Sequence, residues 1–223
     1  MYSVITGDIV DSSRDLEKGA GDPYEVIHQI LYDIFDEFQG KGWLGTGDYA
    51  IYRGDSFQCI SRAEDGLLLG ILIKAALKGG RIKSVSSSEE STSWDCRMAI
   101  GIGTVSYKAD TVEESNGEAF IKSGRLLDKI DKRFLAFATP WKSIQAELDL
   151  MAKYLDIILH RLWTPATATT VLEYLLHHPT QTELASILKI SQPAVNRRLH
   201  GAEIEVLEMT LERYRSIIKL KLQ

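Results

Sequence analysis

Two strand-like runs stand almost back to back in this chain. Tyr49 to Arg53 and Ser56 to Ser61 are rich in Tyr, Ile and Phe, and only Gly54-Asp55 separates them. A gap that short fits a two-residue hairpin, with Gly54 supplying the positive φ at the first turn position. Parallel strands need a long crossover, so a hairpin here argues against a doubly wound parallel sheet, the main alternative fold.

The elements around the hairpin fill in the class. Tyr2 to Ile5 reads as a strand that ends at Gly7-Asp8. Asp22 caps a helix, Pro23 opens it and Glu25 completes a capping box. Val26, Ile27, Ile30, Leu31, Ile34, Phe35 and Phe38 then recur at helical spacing up to Gly40. A second helix is predicted from about Glu64 to Lys78, a strand from Cys96 to Ser106, and a third helix from Gly117 to Ile130. The Ser- and Glu-rich segment 83–93 reads as a loop. Strands and helices in this order predict an α+β fold, a ferredoxin-like or palm-type antiparallel sheet with helices on one face.

From Thr139-Pro140 the chain turns helical. Ile144, Leu148, Met151, Leu155, Ile158 and Leu162 step by four and three, the spacing of a heptad seam. Packing on its own domain is the favoured reading of that helix, and the seam makes a homodimer plausible. Thr164-Pro165 breaks the chain, and short helical runs follow. The predicted organisation is a sheet domain over 1–138, a connector helix over 139–164 and an all-α domain over 165–223.

Residues Thr182 to Leu199 resemble the helix-turn-helix of bacterial regulators. Leu184, Ala185 and Leu188 form the inner face of its first helix, Ile190 fills the turn, Ser191 caps the second helix, and Val195 and Leu199 close a small core. Gln192, Pro193, Asn196, Arg197 and Arg198 point outward, and their amide and guanidinium groups suit base edges and phosphates in a major groove. From Pro165 onward seven Lys or Arg face six Asp or Glu. That near-balance keeps open a competing reading, a trihelical module that only packs against a protein partner.

The whole chain of 223 residues carries a net charge of −5, which argues against binding nucleic acid over its entire surface but leaves a local DNA-reading face open. Its two cysteines, Cys59 and Cys96, read as reduced thiols of a cytoplasmic protein. No apolar run is long enough to span a bilayer, so no membrane partner is expected.

Chemistry concentrates in Gly7-Asp8-Ile9-Val10-Asp11-Ser12-Ser13. A carboxylate at a strand end, followed by a loop that can present backbone N–H groups, suits a metal ion and a phosphate chain. Asp55 supplies a second carboxylate, and Asp8 and Asp55 on adjacent strands are placed to hold one divalent ion, Mg²⁺ by preference. Ordinary turn chemistry is the competing reading of both.

These segments resemble class III nucleotide cyclases. Gly7-Asp8-Ile9-Val10-Asp11-Ser12 resembles their opening metal and phosphate motif, and Arg53-Gly54-Asp55-Ser56-Phe57 their second metal motif. Arg97 to Gly103 resembles the strand after it. Gly117-Glu118-Ala119-Phe120 leading to Gly124-Arg125-Leu126 resembles their catalytic helix. The chain as a whole is similar to the SatD family of bacterial proteins. The resemblance implies Asp8 and Asp55 as metal ligands with help from the Ile9 carbonyl, and backbone amides of Val10, Asp11, Ser12 and Ser13 for the phosphates of a nucleoside triphosphate. It implies Arg125 as the group that neutralises a phosphoryl group in the transition state. It also implies a site formed between two copies of the domain. The sequence departs from the cyclase pattern at Ile121, where a catalytic Asn is expected, and at Asp11-Ser12, where Gly-Phe is expected. The function expected first is therefore a DNA-binding transcriptional regulator whose cyclase-like domain binds a nucleotide with a metal. An active nucleotidyl cyclase or nucleotidyltransferase, and an adaptor built on a degenerate palm, are the alternatives.

Overall fold

The computed structural model describes residues 1–10, 23–52, 54–80 and 93–223. The capping assignment at Asp22, the phosphate-loop assignments at Asp11, Ser12 and Ser13, and the loop over 83–92 lie outside the described residues. The class is α+β: among the described residues a five-stranded sheet with helices packed on it is followed by five further α-helices.

Strand β1, Tyr2–Val10, is the centre of the sheet. On one side it pairs antiparallel with β3, Ser56–Arg62, from Tyr2↔Arg62 to Asp8↔Ser56. On the other it pairs antiparallel with β4, Asp95–Gly103, from Tyr2↔Gly103 to Val10↔Asp95. β2, Tyr49–Ile51, forms the edge beside β3. The antiparallel hairpin of β2 and β3 is present. Ile51 faces Phe57 and the Tyr52 N–H donates to the Ser56 carbonyl, the last described hydrogen bond before the turn. Gly54 does carry the positive φ, at 99°.

The sheet is mixed rather than antiparallel throughout. A fifth strand absent from the sequence reading, β5, Leu135–Ala138, lies parallel to β4 in the register Met98↔Leu135 to Gly101↔Ala138. The helix between β4 and β5 is the crossover that such a parallel pair requires. That helix, α3, Glu118–Leu127, also corrects the expectation of helices on one face. α1, Pro23–Gly40, and α2, Gly66–Gly79, cover the face that carries Ile5, Ile9, Phe57 and Ile100. α3 lies on the opposite face, where Val4 packs with Ile60 and Ala119. Gly101 and Gly103 allow its approach. A Cβ on Gly101 would stand 2.3 Å from the Ala119 carbonyl oxygen and 2.5 Å from the Ser123 nitrogen.

α1 behaves as its periodicity predicts. Ile27, Ile30, Leu31, Ile34, Phe35 and Phe38 are buried, and each such side chain contributes about 1.5–3 kcal/mol relative to exposure. α2 differs, because every one of its residues is buried. The sheet covers one side and α5, Pro165–His177, the other. The two helices approach closely enough that a Cβ on Gly79 would meet Thr169 Oγ1 at 2.7 Å. Lys74 and Lys78 are caught in this position. Lys74 is ion-paired with Asp95, donates to the Cys96 carbonyl at 3.0 Å, and lies 4.4 Å from the Phe134 ring centroid. Lys78 donates to the His160 carbonyl at 2.8 Å, and the His160 ring stacks on Phe134 with Nδ1 2.8 Å from Asp95.

The predicted seam begins in α4, Lys142–Asp156, and continues into one turn and more of π-helix, Ile157–Leu162. Ile144, Leu148, Met151, Leu155 and Ile158 are buried against the body of the same chain, whereas Leu162 is exposed. α6, Gln181–Leu188, α7, Gln192–Gly201, and α8, Ile204–Leu222, complete the chain. The main apolar core runs from Ile5 in β1 to Ile218 in α8. Among the described residues no helix is long and apolar enough to cross a membrane.

Candidate functional site

The sheet pairing brings Asp8 and the β2–β3 turn to one end of the sheet. Asp8 lies opposite Ser56, and the next residue, Ile9, donates its N–H to the Asp55 carbonyl at 2.8 Å. The turn is held from α1. His28 Nε2 lies 2.9 Å from the Gly54 carbonyl oxygen, and since a carbonyl only accepts, Nε2 carries the proton. Gly7, next to Asp8, is glycine for a packing reason. A Cβ there would strike the Phe57 ring at 2.4 Å.

The residue that most changes the reading is Arg97. It faces Asp8 across the β1–β4 ladder. Its Nε donates to Asp8 Oδ1 at 3.0 Å and its Nη2 to Oδ2 at 2.5 Å, so both carboxylate oxygens are engaged by one planar fork. The hydrogen bond to Asp8 raises the Arg97 pKa above its ordinary value. Burial opposes that rise, and the charges of Asp8 and then Asp55 add to it. Both acids therefore act on one guanidinium.

Behind this pair lies a row of uncharged polar groups on the same sheet face. Gln58 Nε2 donates to Thr6 Oγ1 at 2.9 Å, and Thr6 Oγ1 donates to Ser123 Oγ at 2.8 Å. Ser123 in turn donates to the Phe120 carbonyl of its own helix at 3.1 Å, and the Thr6–Ser123 bond ties α3 to β1. Arg97, His28, Thr6, Gln58 and Ser123 lie outside the set of site residues that the sequence motifs single out. Strand register sets Arg97 and Gln58 against β1, and helix packing brings His28 to the turn and Ser123 to Thr6; no local pattern encodes either.

Hard oxygen donors of the Asp8 and Asp55 type suit Mg²⁺, which commonly takes one or two carboxylates and completes its shell with water and phosphate. Asp8 and Asp55 are therefore candidate donors for a metal that arrives with a phosphate, and Arg97 competes for Asp8. Among the described residues no cluster of three or more His, Cys, Asp or Glu is placed to hold a metal alone. The Ile9 side chain is buried, and Val10, the last residue of β1, lies opposite Asp95.

Arg125 stands apart. It is exposed on α3, one turn beyond the exposed Ile121. With Lys122 and Lys129 it lines a shallow cleft of about 620 Å³ that reaches Ala138 on β5. Neither Asp8 nor Asp55 lines that cleft.

At the other end of the chain, α6 and α7 are joined by Lys189, Ile190 and Ser191. Leu184, Ala185, Val195 and Leu199 form their shared core, with Leu188 and Ile190 packed against it, as read from the spacing. Thr180 and Glu183 make a reciprocal capping box on α6. Ser191 occupies the position before α7, but its side chain makes no cap hydrogen bond. Pro193, at the second helical position, has no N–H to offer, and the Ala194 N–H is taken by the Ser191 carbonyl at 2.9 Å. Gln192, Pro193, Asn196 and Arg197 are exposed. Arg198 is half-buried and lies 3.5 Å from Thr170 Oγ1 on α5.

No model of a known protein family matches this sequence, and no curated protein matches it.

Proposed function

We propose that this protein is a DNA-binding transcriptional regulator of the SatD kind. Its helix-turn-helix, within a C-terminal unit over 165–223, reads DNA. A palm-type unit over 1–138 binds a nucleoside triphosphate with Mg²⁺, and the helix over 139–164 connects the two in a cytoplasmic homodimer. One observation carries the reading: Gln192, Asn196 and Arg197 stand exposed on α7 while Val195 and Leu199 bury its other side. That is the arrangement in which a short helix presents amide and guanidinium groups to a major groove.

The test selects DNA fragments on the full-length protein, then measures affinity for the selected site by fluorescence anisotropy at fixed salt. Asn196→Ala and Arg197→Ala are expected to lose discrimination against scrambled DNA while their melting stays that of the wild type. ATP or GTP with Mg²⁺ is expected to shift the affinity of the wild type. Equal binding of selected and scrambled DNA by the wild type and both variants sinks the DNA-reading role.

An active nucleotidyl cyclase is the weaker reading. Ile121 supplies no hydrogen bond where the cyclase pattern has an amide, and both Asp8 oxygens are engaged by Arg97. Product formed from ATP or GTP with Mn²⁺, and lost in Asp55→Ala, would reverse that ranking.

A further inference from the structure

The Asp8–Arg97 pair is built in a way that a bare metal site is not. Both partners sit on strands in fixed register, so neither backbone has freedom to separate. The side chains are open to solvent on one side, with Asp8 22% and Arg97 38% exposed. A ligand can therefore reach the pair, and the long arginine stem can swing while its Cα stays in place. A carboxylate whose two oxygens accept from one guanidinium has little left for a divalent cation, and the cation would meet a positive charge beside it. The electrostatics change when the cation brings a polyphosphate. The guanidinium then loses a carboxylate and gains phosphate oxygens, an acceptor it matches with the same planar fork. The charge of Asp55 also acts on Arg97.

We propose that Arg97 is both the gate of the metal site and its phosphate-binding residue. Free metal is excluded by the Asp8–Arg97 pair, and a nucleoside triphosphate with its metal enters by taking Arg97 from Asp8. The inference rests on the nucleotide-binding reading above and adds to it that metal and triphosphate bind as a coupled unit. By linkage, whatever factor the triphosphate adds to metal affinity the metal adds to triphosphate affinity.

The experiment titrates Mn²⁺ into the full-length protein and follows free Mn²⁺ by electron paramagnetic resonance, first alone and then with saturating GTP or ATP. Wild type, Arg97→Gln and Asp8→Asn are compared. In the wild type, Mn²⁺ alone binds weakly and the nucleotide strengthens it by roughly tenfold or more. In Arg97→Gln, Mn²⁺ alone binds roughly tenfold tighter than in wild type and the nucleotide adds little, so the coupling is gone. Asp8→Asn loses the metal in both conditions. If wild type binds Mn²⁺ with nucleotide but Arg97→Gln takes Mn²⁺ alone no more tightly, the gate is wrong and the metal site stands. If neither protein binds Mn²⁺ under any condition, the gate and the nucleotide-binding reading fall together. Arg97→Lys covers a folding defect in Arg97→Gln. It keeps the charge but loses the fork, and is expected to admit Mn²⁺ alone more readily than wild type while retaining part of the nucleotide's effect. A lysine variant with wild-type metal affinity and wild-type coupling overturns the gate.

Discussion

The Tyr214 hydroxyl, on α8, donates a hydrogen bond of 2.8 Å to the Ala63 carbonyl, 151 positions earlier in the chain, at the end of β3. Tyr214 is fully buried, and its ring lies 5.7 Å from that of Phe137 on β5. Tyr214→Phe leaves the ring in place and a buried carbonyl without its donor, at a cost of about 1–3 kcal/mol. Tyr214→Ala adds a cavity and costs about 3–5 kcal/mol. Urea denaturation followed by tryptophan fluorescence and by far-ultraviolet dichroism measures both, and the two signals should shift together because the residue clamps the last helix to the sheet.

Acid stability should have two limbs of opposite sign. Burial pushes the Asp95 carboxyl up, but Lys74, Lys78 and the His160 hydrogen bond outweigh it and hold the group below its ordinary 3.8. Its contribution is present above that value and is lost as pH falls through the lower folded value. Asp156 runs the other way. Burial pushes it above 3.8 despite the hydrogen bond from the Phe134 N–H, so the folded state gains stability as pH falls through the raised value. Urea midpoints across the acid range should therefore rise slightly before they drop. Asp156→Asn reduces the rise, to which Asp65, also pushed up by burial, contributes in the same direction, and Asp95→Asn flattens the drop.

At neutral pH the Asp95 network predicts a ranking. Asp95→Asn leaves Lys74, 1% exposed, without its counter-charge and should cost about 3–5 kcal/mol. Lys74→Met should cost less, because Asp95 keeps Lys78 and His160 and is reached by water. Thermal melts of the two single variants decide the order.

Two glycines of similar appearance should respond oppositely to alanine. Gly101→Ala drives a methyl group into the backbone of α3 and should cost about 1–3 kcal/mol or more. Gly124→Ala, inside α3 with nothing within 4 Å of the added carbon, should stabilise by about 0.5–1 kcal/mol. Denaturant midpoints measured side by side test the pair.

Arg197 and Arg198 are neighbours with different surroundings. Arg197→Ala should weaken DNA binding and reduce its salt dependence by about one unit of slope, with unchanged melting. Arg198→Ala should lower the melting temperature as well, since its half-buried stem packs towards α5.

Local spacing made the α1 stripe and the core of Leu184, Ala185, Val195 and Leu199 legible, because helical neighbours three and four apart meet whatever the rest of the chain does. β5 was not legible. Leu135-Ala136-Phe137-Ala138 has neither alternation nor a β-branched residue, and it is a strand because β4 offers it an edge. Asp8 and Asp55 could be placed at one sheet end from their motifs. The engagement of Asp8 by Arg97 could not, because 89 residues separate them and only the β1–β4 register sets one against the other.

The burial of α2 on every side has a consequence for genetics. A collection of random alleles of this gene should divide into two kinds. Changes along α2 and the facing side of α5 remove every phenotype at once, because each half of the chain relies on the other to stay assembled. Only alleles at surface positions such as Asn196 or Arg97 can separate one phenotype from another.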